Sequence, residues 1–138
     1  MNEQIKSYLA RIEKIDTMIE SRMLEIEKAE TECQKTTTSY GFERVQSSPS
    51  SSRAEMALDH YISVKQQNMK EIAELRSERE SIKRIIEEKL PPDMYSVIHK
   101  KYFLRKEMWE IAEEMDRSKS WVAWMHGKAL DYLQRILF

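Results

Sequence analysis

Ile5, Ile12, Ile19, Ile26 and Cys33 recur every seven residues through a segment that contains no Gly or Pro. Tyr8, Ile15 and Ala29 mark a second position three residues later in each repeat, with Arg22 as the exception. An ordinary amphipathic stripe drifts at a period of 3.6, so a strict seven-residue repeat predicts a coiled-coil helix over residues 2–35.

The pattern then breaks. Residues 36–52 collect Thr, Ser, Gly41 and Pro49, and side-chain hydroxyls compete with helical backbone bonds. A flexible loop over about residues 36–53 is the expectation. A second helix is predicted from about residue 53 to 89, stopped by Pro91-Pro92. Its expected seam holds Leu58, Tyr61, Ile72, Leu75, Ile82 and Ile86, interrupted by Lys65, Asn68 and Arg79. Two long helices joined by one loop fold back on each other, so residues 1–90 read as an antiparallel coiled-coil hairpin. Its core is thin, and self-association as a dimer is expected to cover the rest of the stripe.

Residues 91–138 change character and predict three shorter helices. The first, over about 93–104, turns Met94, Val97, Ile98 and Tyr102 or Phe103 inward. The second, over about 108–115, turns Ile111, Ala112 and Met115 inward. The third follows a turn at Asp116-Arg117-Ser118, with Ser118 as N-cap, and runs to about residue 135. At 100° per residue, Val122, Met125, Ala129, Leu133 and Ile136 share its core face, with Leu130 at the edge. Ser120, Trp124, Gly127, Lys128, Asp131 and Arg135 point away, and Trp121 lies at the flank beside Tyr132. The small Ala112 lets the third helix cross closely, which is helix-turn-helix geometry. The predicted class is therefore all-α: a long antiparallel coiled-coil hairpin, then a three-helix helix-turn-helix domain over 91–138.

Composition narrows the function. Of 138 residues, 34% are charged, yet 23 Lys and Arg against 24 Asp and Glu leave a net charge of −1. The chain as a whole is thus no electrostatic trap for nucleic acid. One cysteine cannot form an intramolecular disulfide, which fits the cytoplasm. No apolar run is long enough for a membrane span, and residues 1–10 do not form a signal peptide. His60, His99 and His126 lack zinc-site spacing with Cys33. No phosphate loop, nucleophile elbow or paired carboxylates in a cleft are evident, so neither cofactor nor enzymatic activity is expected.

The stretch Trp109-Glu110-Ile111-Ala112, Ser118, and Gly127-Lys128-Ala129-Leu130-Asp131-Tyr132-Leu133 resembles region 4 of sigma factors. The chain as a whole resembles phage proteins related to the ArpU/RinA-type late transcriptional regulators of phages of Gram-positive hosts. Carried over by position, the family's base-reading sites fall on Lys119, Ser120, Ala123 and Trp124. Sigma factors place Arg and Gln at several of these positions. Neither Ala123 nor Trp124 reads guanine as Arg does, so the resemblance implies DNA binding without the −35-type preference. Arg117, Lys119, Lys128 and Arg135 are the expected phosphate contacts.

The reading is a sequence-specific transcriptional regulator that binds double-stranded DNA as a dimer in the host cytoplasm, with host RNA polymerase as a further expected partner. Two alternatives stay open. One is a protein-binding adaptor with a degenerate helix-turn-helix, which the near-neutral charge and the outward Trp124 favour. The other is a DNA-packaging, small terminase-like component, although those proteins usually place the DNA-binding module first.

Overall fold

A computed structural model describes residues 1–41 and 48–138, with side chains for 1–37 and 52–138. Five α-helices and no strand appear among the described residues. They are α1 (Glu3–Gly41), α2 (Ser48–Lys89), α3 (Pro92–Ile98), α4 (Met108–Glu114) and α5 (Lys119–Leu137), with a π-helical turn His99–Phe103 continuing α3. The class is all-α, and α2 stops where Pro91-Pro92 predicts. No helix is long and apolar enough to cross a membrane among the described residues.

Within the expected loop over 36–53, residues 36–41 and 48–53 are helical. Helix α1 carries on through Thr36 and Thr37, whose hydroxyls donate to the carbonyls of Glu32 and Cys33 at 2.9 Å each. This back-bonding satisfies the hydroxyl without ending the helix. What remains of the expected loop, residues 42–47, lies outside the described residues.

Two compact units divide the chain, residues 17–76 in one and residues 1–16 with 77–138 in the other. In the first, α1 and α2 run antiparallel. Arg22 pairs with Glu71, and both lie at similar distances along their helices from the short connection. Ala29 and Cys33 are buried on α1, and Asn68, Ile72 and Leu75 on α2. Ile19 and Ile26 are only half-buried.

The expected seam of α2 is wrong at one end. Leu58 is 48% exposed and Lys65 is exposed, while Ala57 and Val64 turn partly inward. Two successive steps of four, Val64 to Asn68 to Ile72, replace the usual alternation of three and four. Such a stutter moves the seam round the helix, so Leu58 is carried outward. Asn68 takes its buried place because its amide donates to the Val64 carbonyl at 2.9 Å.

In the second unit the beginning of α1 and the end of α2 are built into the C-terminal helices. The expected boundary at residues 90–91 therefore does not separate the two units. Ile5, Leu9, Ile12 and Ile15 of α1 are buried, as are Ile82, Ile86 and Leu90. Leu9 belongs to neither expected heptad position. Gln134 of α5 accepts a hydrogen bond from the Ile5 amide at 3.0 Å and donates to Gln4 Oε1 at 2.6 Å. It thereby satisfies one of the amide groups that the first turn of a helix leaves unpaired. Tyr8 meets Phe138 edge-on, with ring centroids 6.1 Å apart. Arg79, read as an interruption, donates to Asp16 at 2.7 Å and to the Phe103 carbonyl at 3.0 Å.

The π turn also departs from the expected single helix over 93–104. It adds a residue to the turn, closed by the Leu104 amide on the His99 carbonyl at 3.1 Å. Ile98 and Phe103, five residues apart, are both buried as a result.

If residues 1–16 are part of the second unit's cooperative core, Leu9→Ala will destabilise it by about 2–5 kcal/mol. All three tryptophans lie between residues 109 and 124. Their fluorescence midpoint in urea is expected to fall together with the helicity midpoint. A tryptophan transition left in place would mean that the C-terminal helices fold without α1.

Candidate nucleic-acid interface

Helix α4 opens with the Glu107 amide donating to the Glu110 carboxylate at 3.0 Å, the reciprocal half of a capping box. It closes in a Schellman arrangement: the Arg117 amide reaches the Ala112 carbonyl at 2.9 Å and the Asp116 amide reaches Glu113 at 3.2 Å. Asp116 holds the left-handed position (φ 57°), which Gly usually fills and Asp tolerates. Ser118 then caps α5 as expected, its Oγ accepting from the Trp121 amide at 3.1 Å. These bonds set the four residues between α4 and α5.

The core under the two helices is Val97, Ile111, Ala112, Val122 and Met125, with Met94, Met108, Met115 and Trp121 packed against it. Trp121 packs at the edge of this core. Further along α5, Ala129, Leu130 and Leu133 are buried. Leu130, expected at the edge, is core. Ile136, expected in the core, is 40% exposed.

All seven candidate residues, Arg117, Lys119, Ser120, Ala123, Trp124, Lys128 and Arg135, are exposed. They do not form one uniform charged strip. Ser120, Trp124, Lys128 and Arg135 share a ridge at helical spacing, while Lys119 and Ala123 lie on its flank. Three of the four cations rest on rings of their own chain. Arg117 is 4.7 Å from the Trp121 centroid, Lys128 4.4 Å from Trp124, and Arg135 5.8 Å from Tyr132. Lys119 makes no hydrogen bond, ion pair or ring contact with the described residues. Asp131 sits on the same ridge and accepts from the Asn2 amide group at 2.6 Å, so the ridge carries mixed charge.

Trp109 on α4 is 54% exposed, the same as Trp124, and was not among the expected interface residues. The signal was available. Ile111, Ala112 and Met115 define the inward side of α4, and Trp109 is off it. Gly127 is the second departure from a plain helix surface: a Cβ built there would meet nothing within 4 Å. No packing among the described residues requires a glycine at that point.

Behind the ridge, Tyr102 Oη and His126 Nε2 are 2.8 Å apart and their rings stack at 5.7 Å. Burial first, then Lys101 and Lys6, pushes His126 down to about 4. His99, stacked between Tyr95 and Phe103, is also lowered, chiefly by burial. Among the described residues no group of three His, Cys, Asp or Glu side chains is placed to hold a metal ion.

No protein-family model matches the chain, and neither does any curated protein or solved structure.

Two outcomes follow from the α5 surroundings. Gly127→Ala is expected to raise the stability of the free protein by up to about 1 kcal/mol, read as a higher melting temperature, since the helix gains propensity and no clash arises. His126 gives a pH dependence of defined sign. Its folded-state pKa lies below its unfolded value, so the unfolded chain binds the proton first and stability is lost as pH falls. The loss is expected between about pH 6.5 and 4, and His126→Gln should flatten the melting temperature across that window. An unchanged slope would assign the effect to other groups.

Proposed function

We propose that this chain is a sequence-specific DNA-binding transcriptional regulator, phage-encoded and acting as a dimer in the host cytoplasm, with host RNA polymerase as a second partner. The observation that carries the reading is the outward side of α5. A helix capped by Ser118 and introduced by a tight turn leaves Lys119, Ser120, Ala123 and Trp124 exposed on its first two turns. The first turns of the second helix are the part of a helix-turn-helix that meets base edges in the major groove. Lys119, the cation with no partner among the described residues, stands at the first residue of that helix, where hydrogen bonds to bases would be made. Arg117, Lys128 and Arg135 would approach phosphates, each moving off or across the ring it rests on. The cations per chain are few, and two copies would double them.

A protein-binding adaptor is the second reading, favoured by the exposed Trp109 and Trp124 rings. Exposed tryptophans are the residues that most often anchor protein partners.

Fluorescence anisotropy separates the two, using duplexes recovered by a genome-wide pull-down with the full chain and titrated at several salt concentrations. As a DNA binder, the wild type is expected to show a steep salt dependence. Lys128→Ala should weaken binding alike on every sequence and reduce the slope by about one phosphate per subunit. Lys119→Ala should narrow the gap between recovered and random duplexes, and Trp124→Ala should lower affinity with the melting temperature unchanged. Absence of salt-dependent binding to any duplex would exclude the regulator and leave the adaptor.

A further inference from the structure

We propose that Leu58, Ile62 and Met69 on α2 form a two-fold docking face for a second copy of this chain, with the two α2 helices antiparallel about the midpoint between Lys65 and Gln66. The proposal deepens the dimer part of the functional reading and does not depend on DNA binding.

All of the residues involved lie in the unit of residues 17–76. Leu58, Ile62 and Met69 are 48%, 42% and 48% exposed. At 100° per residue, Ile62 is turned about 40° and Met69 about 20° from Leu58, so the three form one stripe. The buried seam of Asn68, Ile72 and Leu75 lies to one side of it. Seam and stripe together make a much wider apolar arc than pairing with α1 alone needs. A helix that meets one neighbour carries a narrow stripe, and one that meets two carries the wide kind. The stutter at Val64–Asn68–Ile72 produces this arc, because it turns Leu58 out of the seam and into line with Ile62.

The occupant is indicated by the pattern of the face itself. A two-fold contact must be self-complementary, so each residue meets its mirror position in the other copy. Antiparallel pairing about the midpoint sets Ile62 opposite Met69 of the second copy, and Leu58 opposite Ala73. The same register sets Glu55 opposite Arg76 of the second copy, twice over, at the two ends of the stripe. Both residues are exposed, and neither has a hydrogen-bond or ion-pair partner among the described residues. Parallel pairing would instead oppose Glu55 to Glu55 and Arg76 to Arg76. Lys65 would stand near the axis, but its ammonium is drawn aside over the Tyr61 ring, 5.8 Å from the centroid. The centre of the face is left to Ile62, Gln66 and Met69.

Sedimentation velocity on the full-length chain across a concentration series tests this, with circular dichroism of each variant to confirm helicity. The wild type is expected to dimerise, and Ile62→Glu with Met69→Glu to be monomeric. A charge swap keeps the test independent of any folding defect. Glu55→Arg alone and Arg76→Glu alone should each weaken dimerisation by about tenfold, since each turns two attractions into two repulsions. The doubly swapped chain, Glu55→Arg with Arg76→Glu, should recover to near the wild-type constant. A wild type monomeric at every concentration, or a dimer indifferent to these changes, would overturn the proposal. A dimer that behaves as expected but binds no duplex would overturn only the DNA reading.

Discussion

The guanidinium of Arg79 fixes the unit formed by residues 1–16 and 77–138. It stands on α2 among the apolar residues of the seam, donates to Asp16 of α1, and donates again to the carbonyl of Phe103. Its Cζ lies 5.1 Å from the centroid of the Phe103 ring. One side chain therefore ties three segments together. A charge in an apolar seam is costly when unpaired, and here it is retained because the π turn ends beside it. The last carbonyls of a helical segment have no partner within the segment, and Arg79 supplies one. Its pairing with Asp16 is only partly exposed, so hydrogen bonds to the charged group weigh more than they would at the surface.

Once that point is fixed, the chain between the π turn and α5 has little freedom. Arg105 adopts a left-handed backbone (φ 54°), at a cost of roughly 1 kcal/mol for a residue with a Cβ. Its side chain returns to α1 by a hydrogen bond to the Glu13 carbonyl at 3.3 Å and by an ion pair with Asp16 at 3.7 Å. Lys100 and Lys106 both donate to Glu114, which clasps the segment leading into α4 against the end of α4. The pair lowers the Glu114 pKa, chiefly through those hydrogen bonds. The Schellman turn and the Ser118 cap then aim α5. The orientation of the candidate interface thus traces back through short local bonds to the base of the two long helices.

Much of this was legible in the sequence because it depends on local chemistry. The heptad from Ile5 to Cys33, the stop at Pro91-Pro92, the Ser118 cap and the outward side of α5 all follow from spacing or from a single residue's backbone preference. The failures share a different cause. Leu9 is buried and Ile136 exposed because of which helices lie next to them, and periodicity within one helix carries no such information. Ala57 and Val64 took the inward places of Leu58 and Lys65 because a stutter shifts the seam. Arg79 read as an interruption because its partners, Asp16 and the Phe103 carbonyl, lie far along the chain, whereas Asn68 is satisfied within its own helix by the Val64 carbonyl. The joining of α1 to α5 through Gln134 links residues at opposite ends of the chain, and no local pattern announces it. Of the site, exposure was legible, but the resting of Arg117, Lys128 and Arg135 on aromatic rings was not.

That last feature changes how the surface of α5 should be understood. Arg117 in the turn, and Lys128 and Arg135 on α5, each lie over a ring of the same chain, so engaging an anion would draw each of them off or across its ring. The same helix holds the start of α1 through Gln134, on the flank of the ridge, and through Asp131. Asp131 shares the ridge with Lys128 and Arg135, and its bond to Asn2 directs part of its charge toward α1. A polyanion approaching the ridge would meet that carboxylate as well as the cations. On the first half of α5, Lys119, Ser120 and Trp124 stand clear of any acid on the same helix. On the proposed DNA-binding reading, contacts made there would read the sequence, and those made farther along would only position the helix.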